Sequence, residues 1–116
     1  IDEKLENRAA NALGLYYCKS SEQCHKAWIV AKQFVQSHSS TEIELETNVL
    51  IMTSAPKTDQ DLSLSLSKFT KTNHKPQIFL DIRCRKSPLG KALCSSFKSR
   101  QIRTSFRPFI VSKLNP

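Results

Sequence analysis

The first third of the chain places apolar residues at helical spacing. Leucine, alanine and tyrosine side chains recur at this spacing from Asp2 to about Tyr16, and a similar pattern returns from Ser21 to Ser37. We predict two helices, with Ser21 as the N-cap of the second and a tight connection between them. The apolar stripe of the second helix comprises Cys24, Ala27, Trp28, Ala31, Phe34 and Val35.

From residue 42 onward the apolar period shortens to two, which is typical of strands with one buried face. The alternating pattern from Glu42 to Ile51 predicts one half-buried strand, with Glu42, Glu44 and Glu46 on its solvated side. The segments "LSLSLSKF" and "QIFLDIRC" predict two more strands, and turn-rich stretches separate all three. Short connections between alternating strands predict an antiparallel meander that the helices cover on one face.

The last third of the chain leaves two structures open. Ser87 and Pro88 predict the start of a helix, because proline suits the first helical position. The segment "QIRTSFR" either continues that helix or forms a fourth strand, and Pro108 is expected to end either element. The side chains expected to face inward are Ala92, Leu93 and Phe97 in the helix and Ile102, Thr104 and Phe106 in the strand.

These elements predict an α+β fold in a single domain, residues 1–116. N-terminal helices would pack on one face of a three- to four-stranded antiparallel sheet, followed by a C-terminal helix or strand. A chain of 116 residues with 39% hydrophobic positions can bury one core, and no apolar run approaches the roughly 20 residues that span a bilayer. The chain opens at Ile1 without methionine, so we expect a processed mature form that lost a targeting segment, or a shortened chain.

Four cysteines form two close pairs in the sequence. Five residues separate Cys18 from Cys24 and nine separate Cys84 from Cys94, which is wider than is usual in zinc-binding pairs. Of the three possible disulfide pairings we favour Cys18–Cys24 and Cys84–Cys94, because short loops close at low entropic cost. Each would contribute about 2–3 kcal/mol, and both indicate a periplasmic or extracellular location. The alternative is four reduced, buried cysteines in a cytosolic protein.

Positive charge is concentrated toward the C-terminal end. The chain carries a net charge of +8, and residues 82–116 hold nine basic and no acidic side chains. Residues 1–56 hold five basic and seven acidic ones. This asymmetry predicts an interaction surface for an acidic partner. The alternative is a solubilising surface, with Arg83 and Arg85 paired to the glutamates of the first strand.

The candidate anion-binding residues come from this basic segment. Arg103 and Arg107 are four residues apart and share a face in a helix or a strand, and Arg100 joins them in a helix. Guanidinium groups bind phosphate, sulfate and carboxylate through paired hydrogen bonds, and lysines add charge. The full candidate set is Arg83, Arg85, Lys86, Lys91, Lys98, Arg100, Arg103 and Arg107.

The candidate anionic partners can be ranked by how well the basic segment suits each of them. Each basic residue contributes about 1 kcal/mol at an anionic membrane surface, so several converging ones suffice for peripheral binding. Phosphorylated, phosphoinositide-type lipid headgroups lead, glycans and other polyanions follow, and nucleic acid comes last because no nucleic-acid-binding motif is present. Phe97, Phe106 and Phe109 lie within the basic segment, but their spacing suits burial better than base stacking. We expect a monomer without cofactors.

The sequence favours a binding protein over an enzyme. His25, His38 and His74 are scattered along the chain, and Cys24 points about 100° away from His25 on a helix. Neither a phosphate-binding glycine loop nor a hydrolase or metalloprotease motif occurs in the sequence. We assign no catalytic residue and no metal ligand. Trp28 is expected in the core, with an exposed partner-binding role as the alternative.

The stretch "CHKAWIVAKQFVQSHSSTEIELETNVLI" resembles small exported four-cysteine proteins of Gram-negative bacteria. These combine Cys-x-x-Ala-Trp with an Ala-Lys-x-Phe-Val helix, a threonine-containing strand and two later cysteines. The resemblance covers most of residues 17–97, and it implies export, two disulfides and helices on a sheet, without catalytic residues. The matching positions are Cys24, Ala27, Trp28, Ala31, Lys32, Phe34, Val35, Thr41, Ile43, Thr47, Ile51, Thr53, Pro56, Cys84 and Cys94.

The basic C-terminal segment departs from the pattern of those proteins. The lysine-, serine- and asparagine-rich composition is also similar to secreted substrates of Legionella-type type II secretion. The leading hypothesis is therefore an exported binding module, periplasmic or secreted as a virulence factor, whose basic face binds an anionic partner. The alternative is a periplasmic envelope or secretion-system assembly protein that binds another protein through a sheet edge or the Trp28 face.

Overall fold

The computed structural model describes residues 9–71 and 74–115. The described chain begins and ends with helical segments, and its strands form a sheet, which confirms the α+β prediction. The elements in chain order are α1 (9–13), β1 (Leu15–Tyr17), α2 (Ser21–His38), β2 (Ile43–Glu46), β3 (Leu50–Thr53), β4 (Ser63–Phe69), β5 (Gln77–Arg83), α3 (Pro88–Cys94) and α4 (Phe97–Leu114).

The five strands form one antiparallel sheet in the order β1-β5-β4-β3-β2. Leu66 in the central strand pairs with Ile51 on one side and Leu80 on the other, so all three side chains lie on the same face. That face is buried beneath the helices. The sheet has one strand more than the upper limit we predicted, since β1 adds an edge and the segment 42–51 contributes to two strands.

A turn divides the single strand predicted over 42–51. The Thr47 hydroxyl accepts hydrogen bonds from the backbone N–H groups of Val49 and Leu50 at 3.1 and 2.9 Å, which reverses the chain between β2 and β3. The pairing register also shifts between Ile43 and Leu45. The three glutamates therefore do not share one face as predicted, and Glu46 forms an ion pair with Lys32 of α2 at 2.9 Å.

Helix α1 ends earlier than the sequence pattern predicted. Gly14 has a φ of 68°, a left-handed conformation that glycine adopts readily at a helix end, and β1 begins at the next residue. Tyr16 is therefore a buried strand residue rather than the last residue of the helix. The predicted part of that helix before residue 9 lies outside the described residues. The N-cap of α2 is Ser20, one residue before the predicted Ser21.

Helices α2 and α4 cover the same face of the sheet. The six predicted stripe residues of α2 are all buried, and α2 packs on β4. Helix α4 packs on β1 and β5 and meets α2 through the rings of Phe34, Phe106 and Phe109. The side chains that α4 buries are Ser99, Ile102, Phe106 and Ile110.

The last third is helical, which excludes the alternative fourth strand. Ser87 caps α3 and Pro88 lies in its first turn, as predicted. The helix is interrupted after Cys94, and a second helix begins at Phe97 with Ser96 as its N-cap. Pro108 does not end α4, contrary to our expectation, because Phe106 and Ile110 on either side of it are fully buried and hold the helix against the core.

The opposite face of the sheet is not covered by these helices. Its central row pairs Leu15, Phe79, Ser67 and Leu50 across four strands, all of them half-buried. Tyr17 and Leu45 at its two edges are 50% and 44% exposed. No helix among the described residues has both the length and the apolar content to cross a membrane.

Candidate anion-binding surface

Helix α4 carries the largest group of predicted anion-binding residues. The Ser96 hydroxyl accepts from the backbone N–H of Ser99 at 3.3 Å and satisfies one of the free donors at the helix start. The Ser99 hydroxyl in turn donates to the carbonyl oxygen of Leu93 in α3 at 2.6 Å. The rotation of α4 is thus set at its start by these bonds and further along by its buried residues.

Arg100, Arg103 and Arg107 form what we call the arginine flank. At about 100° and 1.5 Å per residue, the three side chains emerge within an arc of about 60° and over about 10 Å of helix length. The flank lies on the side of α4 that faces β1, since a Cβ built on Gly14 would lie 3.3 Å from Cγ of Arg103. The structure thus brings together the three arginines that the sequence grouped.

The arginine flank has no carboxylate partner within residues 9–71 and 74–115. The two ion pairs in that part of the chain join Lys32 to Glu46 and Arg85 to Asp59. All seven basic residues from Cys84 to Phe109 lie in a segment without acidic side chains. The flank therefore presents positive charge that these described contacts do not neutralise.

Arg83 and Arg85 do not belong to this surface. The Nη2 of Arg83 donates to the Thr53 carbonyl oxygen at 2.9 Å, which ties β5 to the end of β3. Arg85 lies 3.8 Å from Asp59, which also accepts a hydrogen bond from the Ser87 hydroxyl. The carboxylate that Arg85 meets is thus in the loop before β4 rather than among the glutamates of β2. Both arginines have structural contacts that an external anion would have to compete with.

None of the three candidate lysines belongs to the arginine flank. Lys86 precedes α3 and Lys91 lies within it, and both are exposed. Lys98 is about 140° from Arg103 around α4 and faces the end of α2. There it lines a cavity of about 480 Å³ together with Ser37, His38, Gln101, Ile102 and Ser105.

The start of α3 and the start of α4 each expose one large apolar side chain. Leu89 is 68% exposed and Phe97 is 70% exposed, the two highest values for large apolar residues within the described ranges. We predicted Phe97 to face inward, and this was wrong. In one continuous helix Phe97 would lie on the same face as Leu93, four residues earlier. The helix is interrupted after Cys94, however, so the two residues belong to different helices. The sequence pattern did not indicate this break, which separates α3 from α4 by two residues.

Both predicted disulfides are present and one of them supports this surface. Cys18 is bonded to Cys24 and Cys84 to Cys94, with Cα–Cα distances of 5.0 and 5.9 Å. The second bridge ties the end of α3 to the chain just after β5. Disulfides of this kind are typical of oxidising compartments outside the cytosol.

Trp28 lies in the core rather than on a partner-binding surface. It is 7% exposed, and Nζ of Lys68 lies 5.1 Å from the centre of its ring on the remaining side. The alternative of an exposed Trp28 face is therefore not available in this fold. Among residues 9–71 and 74–115, no three His, Cys, Asp or Glu side chains are grouped so that they could hold a metal ion.

No protein-family model, curated protein or solved structure matches the chain. The resemblance to exported four-cysteine proteins therefore stays a prediction. The contacts of the chain's own side chains are the basis for a functional proposal.

Proposed function

We propose that the chain is an exported, non-enzymatic module of a Gram-negative bacterium, periplasmic or secreted as a virulence factor. In this proposal it binds phosphorylated, phosphoinositide-type lipid headgroups at a membrane surface. The observation that carries the proposal is the arginine flank, because three arginine side chains emerge on one side of α4 without a described carboxylate partner. Guanidinium groups bind phosphate oxygens through paired hydrogen bonds.

The binding energy expected from this surface is sufficient for reversible membrane contact. Each basic side chain near an anionic bilayer contributes about 1 kcal/mol, so the three arginines with Lys86 and Lys91 would supply about 5 kcal/mol. Such binding weakens as salt rises, because the charges are exposed and screened over about 10 Å. Headgroup selectivity that persists at physiological salt would distinguish a recognition site from a merely charged surface.

The test is a binding panel at low and physiological salt. Vesicles containing a phosphoinositide, vesicles containing phosphatidylserine, heparin and single-stranded DNA are compared for the wild type and for R100E/R107E. The variant should lose about 30-fold or more in vesicle affinity without a lower Tm. Arg103 is left unchanged because it packs against Gly14. If the protein bound all of these partners equally and this binding disappeared at physiological salt, the proposal would be contradicted.

A matched control separates local charge from net charge. K26E/K71E changes the net charge by the same amount, and both lysines are exposed outside the C-terminal segment. This variant should bind phosphoinositide vesicles as the wild type does. A loss equal to that of R100E/R107E would mean that overall charge, rather than the arginine flank, governs binding.

A second candidate function is envelope or secretion-system assembly through a protein partner. The sheet face that the described helices leave uncovered, with Leu45 exposed on the edge strand β2, is the observation that favours it. Partner capture would then survive R100E/R107E and be lost on Leu45→Pro, because proline cannot donate a backbone hydrogen bond. The opposite pattern would exclude this candidate.

A further inference from the structure

The corner between α3 and α4 combines exposed apolar side chains with positive charge. The side chains of Leu89 and Phe97 are 68% and 70% exposed. Single exposed apolar residues are ordinary on protein surfaces. Here, however, the two most exposed ones among the described residues fall in adjacent helices of the same acid-free segment.

Phe97 points away from the core on the side next to the arginine flank. At about 100° per residue it lies about 180° from the buried Phe106, and about 60° and 80° from Arg100 and Arg107. Lys86 is exposed just before α3, whereas Lys91 is exposed about 160° away from Leu89 around that helix. Exposed apolar and basic side chains thus occur together at the start of α3 and at the start of α4.

The backbone that presents this pair is held in place. The Cys84–Cys94 disulfide ties the end of α3 to the end of β5, and the Ser87 hydroxyl accepts from the N–H of Gly90 at 3.1 Å. A Cβ on Gly90 would lie 2.2 Å from the carbonyl oxygen of Arg85, so α3 packs closely against the preceding chain. A preorganised surface loses little conformational entropy on binding.

We propose that Leu89 and Phe97 insert into the interfacial region of an anionic bilayer while Lys86, Arg100 and Arg107 contact the headgroups. This inference rests on the proposed function and names its partner as a bilayer rather than a soluble polyanion. Cations and apolar side chains in one segment complement the two chemistries of such a membrane, an anionic surface and an apolar interior. Phenylalanine and leucine are among the apolar residues that interfacial helices bury at the boundary of headgroups and acyl chains. A soluble polyanion offers no apolar phase to the pair.

The test compares vesicles with a polyanion that has no apolar phase. L89S/F97S is measured on vesicles of equimolar phosphatidylcholine and phosphatidylserine, with and without a phosphoinositide, and on heparin. Vesicle affinity should fall at least about 10-fold, from the lost transfer of two apolar side chains, with heparin affinity nearly unchanged. The control I29S/L45S replaces two exposed apolar residues on α2 and β2 and should bind vesicles like the wild type.

The outcomes separate this inference from the proposed function. If L89S/F97S bound vesicles as tightly as the wild type while R100E/R107E lost vesicle binding, insertion would be overturned and the headgroup proposal would stand. Equal losses of vesicle and heparin binding in L89S/F97S would also overturn insertion. No vesicle binding by the wild-type protein would overturn both.

A second measurement reports depth directly. In Phe97→Trp the new tryptophan should be quenched by lipids brominated on their acyl chains, whereas the tryptophan of Leu45→Trp should not. Trp28 is buried and supplies the same background in both variants. Absence of quenching in vesicle-bound Phe97→Trp would contradict insertion.

Discussion

The ring of Phe106 meets the ring of Phe34 edge-on, with centroids 5.3 Å apart and an interplanar angle of 72°. This contact joins α4 to α2 above the sheet, and both side chains are fully buried. Through it, the hydrophobic core sets the rotation of the helix that carries the arginine flank. The surface chemistry of α4 therefore depends on its packing.

We predict that Phe106→Ala destabilises the fold by about 3–5 kcal/mol, because it leaves a cavity between α2 and α4. Phe97→Ala on the same helix is the matched control and should change the free energy of unfolding by less than about 0.5 kcal/mol, since Phe97 is exposed. Urea denaturation followed by circular dichroism measures both. Similar losses for the two variants would contradict the assigned orientation of α4.

Arg83 and Arg100 should separate stability from binding. Arg83→Ala removes the hydrogen bond to Thr53 and should cost about 1–3 kcal/mol of stability with unchanged vesicle affinity. Arg100→Ala should leave the Tm unchanged and lower vesicle affinity about 5-fold. Thermal unfolding and vesicle co-sedimentation give the two readouts. A binding defect in folded Arg83→Ala would return Arg83 to the anion-binding surface.

Gly14 should be sensitive to any Cβ. Its positive φ and the 3.2 Å approach of a built Cβ to the Leu80 carbonyl oxygen predict a loss of about 1–2 kcal/mol or more in Gly14→Ala. Gly14→Asn is the informative comparison with Gly14→Val, because asparagine tolerates this conformation better than a β-branched residue. If the valine variant were as stable as the asparagine variant in urea, the left-handed conformation at this position would be refuted.

The two disulfides should stabilise the protein by similar amounts. Sequence separations of 6 and 10 residues predict about 2–3 kcal/mol for each bridge, slightly more for Cys84–Cys94. We expect the C84S/C94S variant to weaken vesicle binding as well, because α3 is no longer tied to β5, whereas C18S/C24S should not. Denaturation and vesicle binding of the folded variants measure the two effects, and equal binding defects would argue against a specific role of the second bridge.

Asp61 should make stability depend on pH in the acid range. Backbone N–H groups of Lys57 and Thr58 donate to its carboxylate, both at 2.9 Å, and these bonds lower the pKa of Asp61. Because the pKa is lower in the folded state, ionised Asp61 stabilises the fold at pH values above the ordinary carboxyl pKa. This contribution is lost as the pH falls through the lowered pKa.

Asp61→Asn should therefore lower the Tm at neutral pH, and its difference from the wild type should shrink toward strongly acidic pH. Thermal unfolding across the acid range measures this difference. A difference that stays constant with pH would show that ionised Asp61 does not hold the loop.

Local patterns predicted much of this fold. The α2 stripe was correct at every position because a helix of 18 residues repeats its period several times, and one face must be buried. The disulfide pairs were correct because each closes a short loop. By contrast, alternation alone could not separate β2 from β3, because a turn at Thr47 preserves the polar and apolar order on both sides.

By itself, the sequence determined the fold class, the two disulfides and the concentration of positive charge in the last third. These follow from residue type and short-range spacing. The tertiary structure alone decided which candidate arginines have contacts within the fold: Arg83 and Arg85 meet Thr53 and Asp59, which are distant in sequence. It also decided that Phe97 is exposed, because the helix break after Cys94 and the packing of α4 on the core set a rotation that the sequence pattern does not encode.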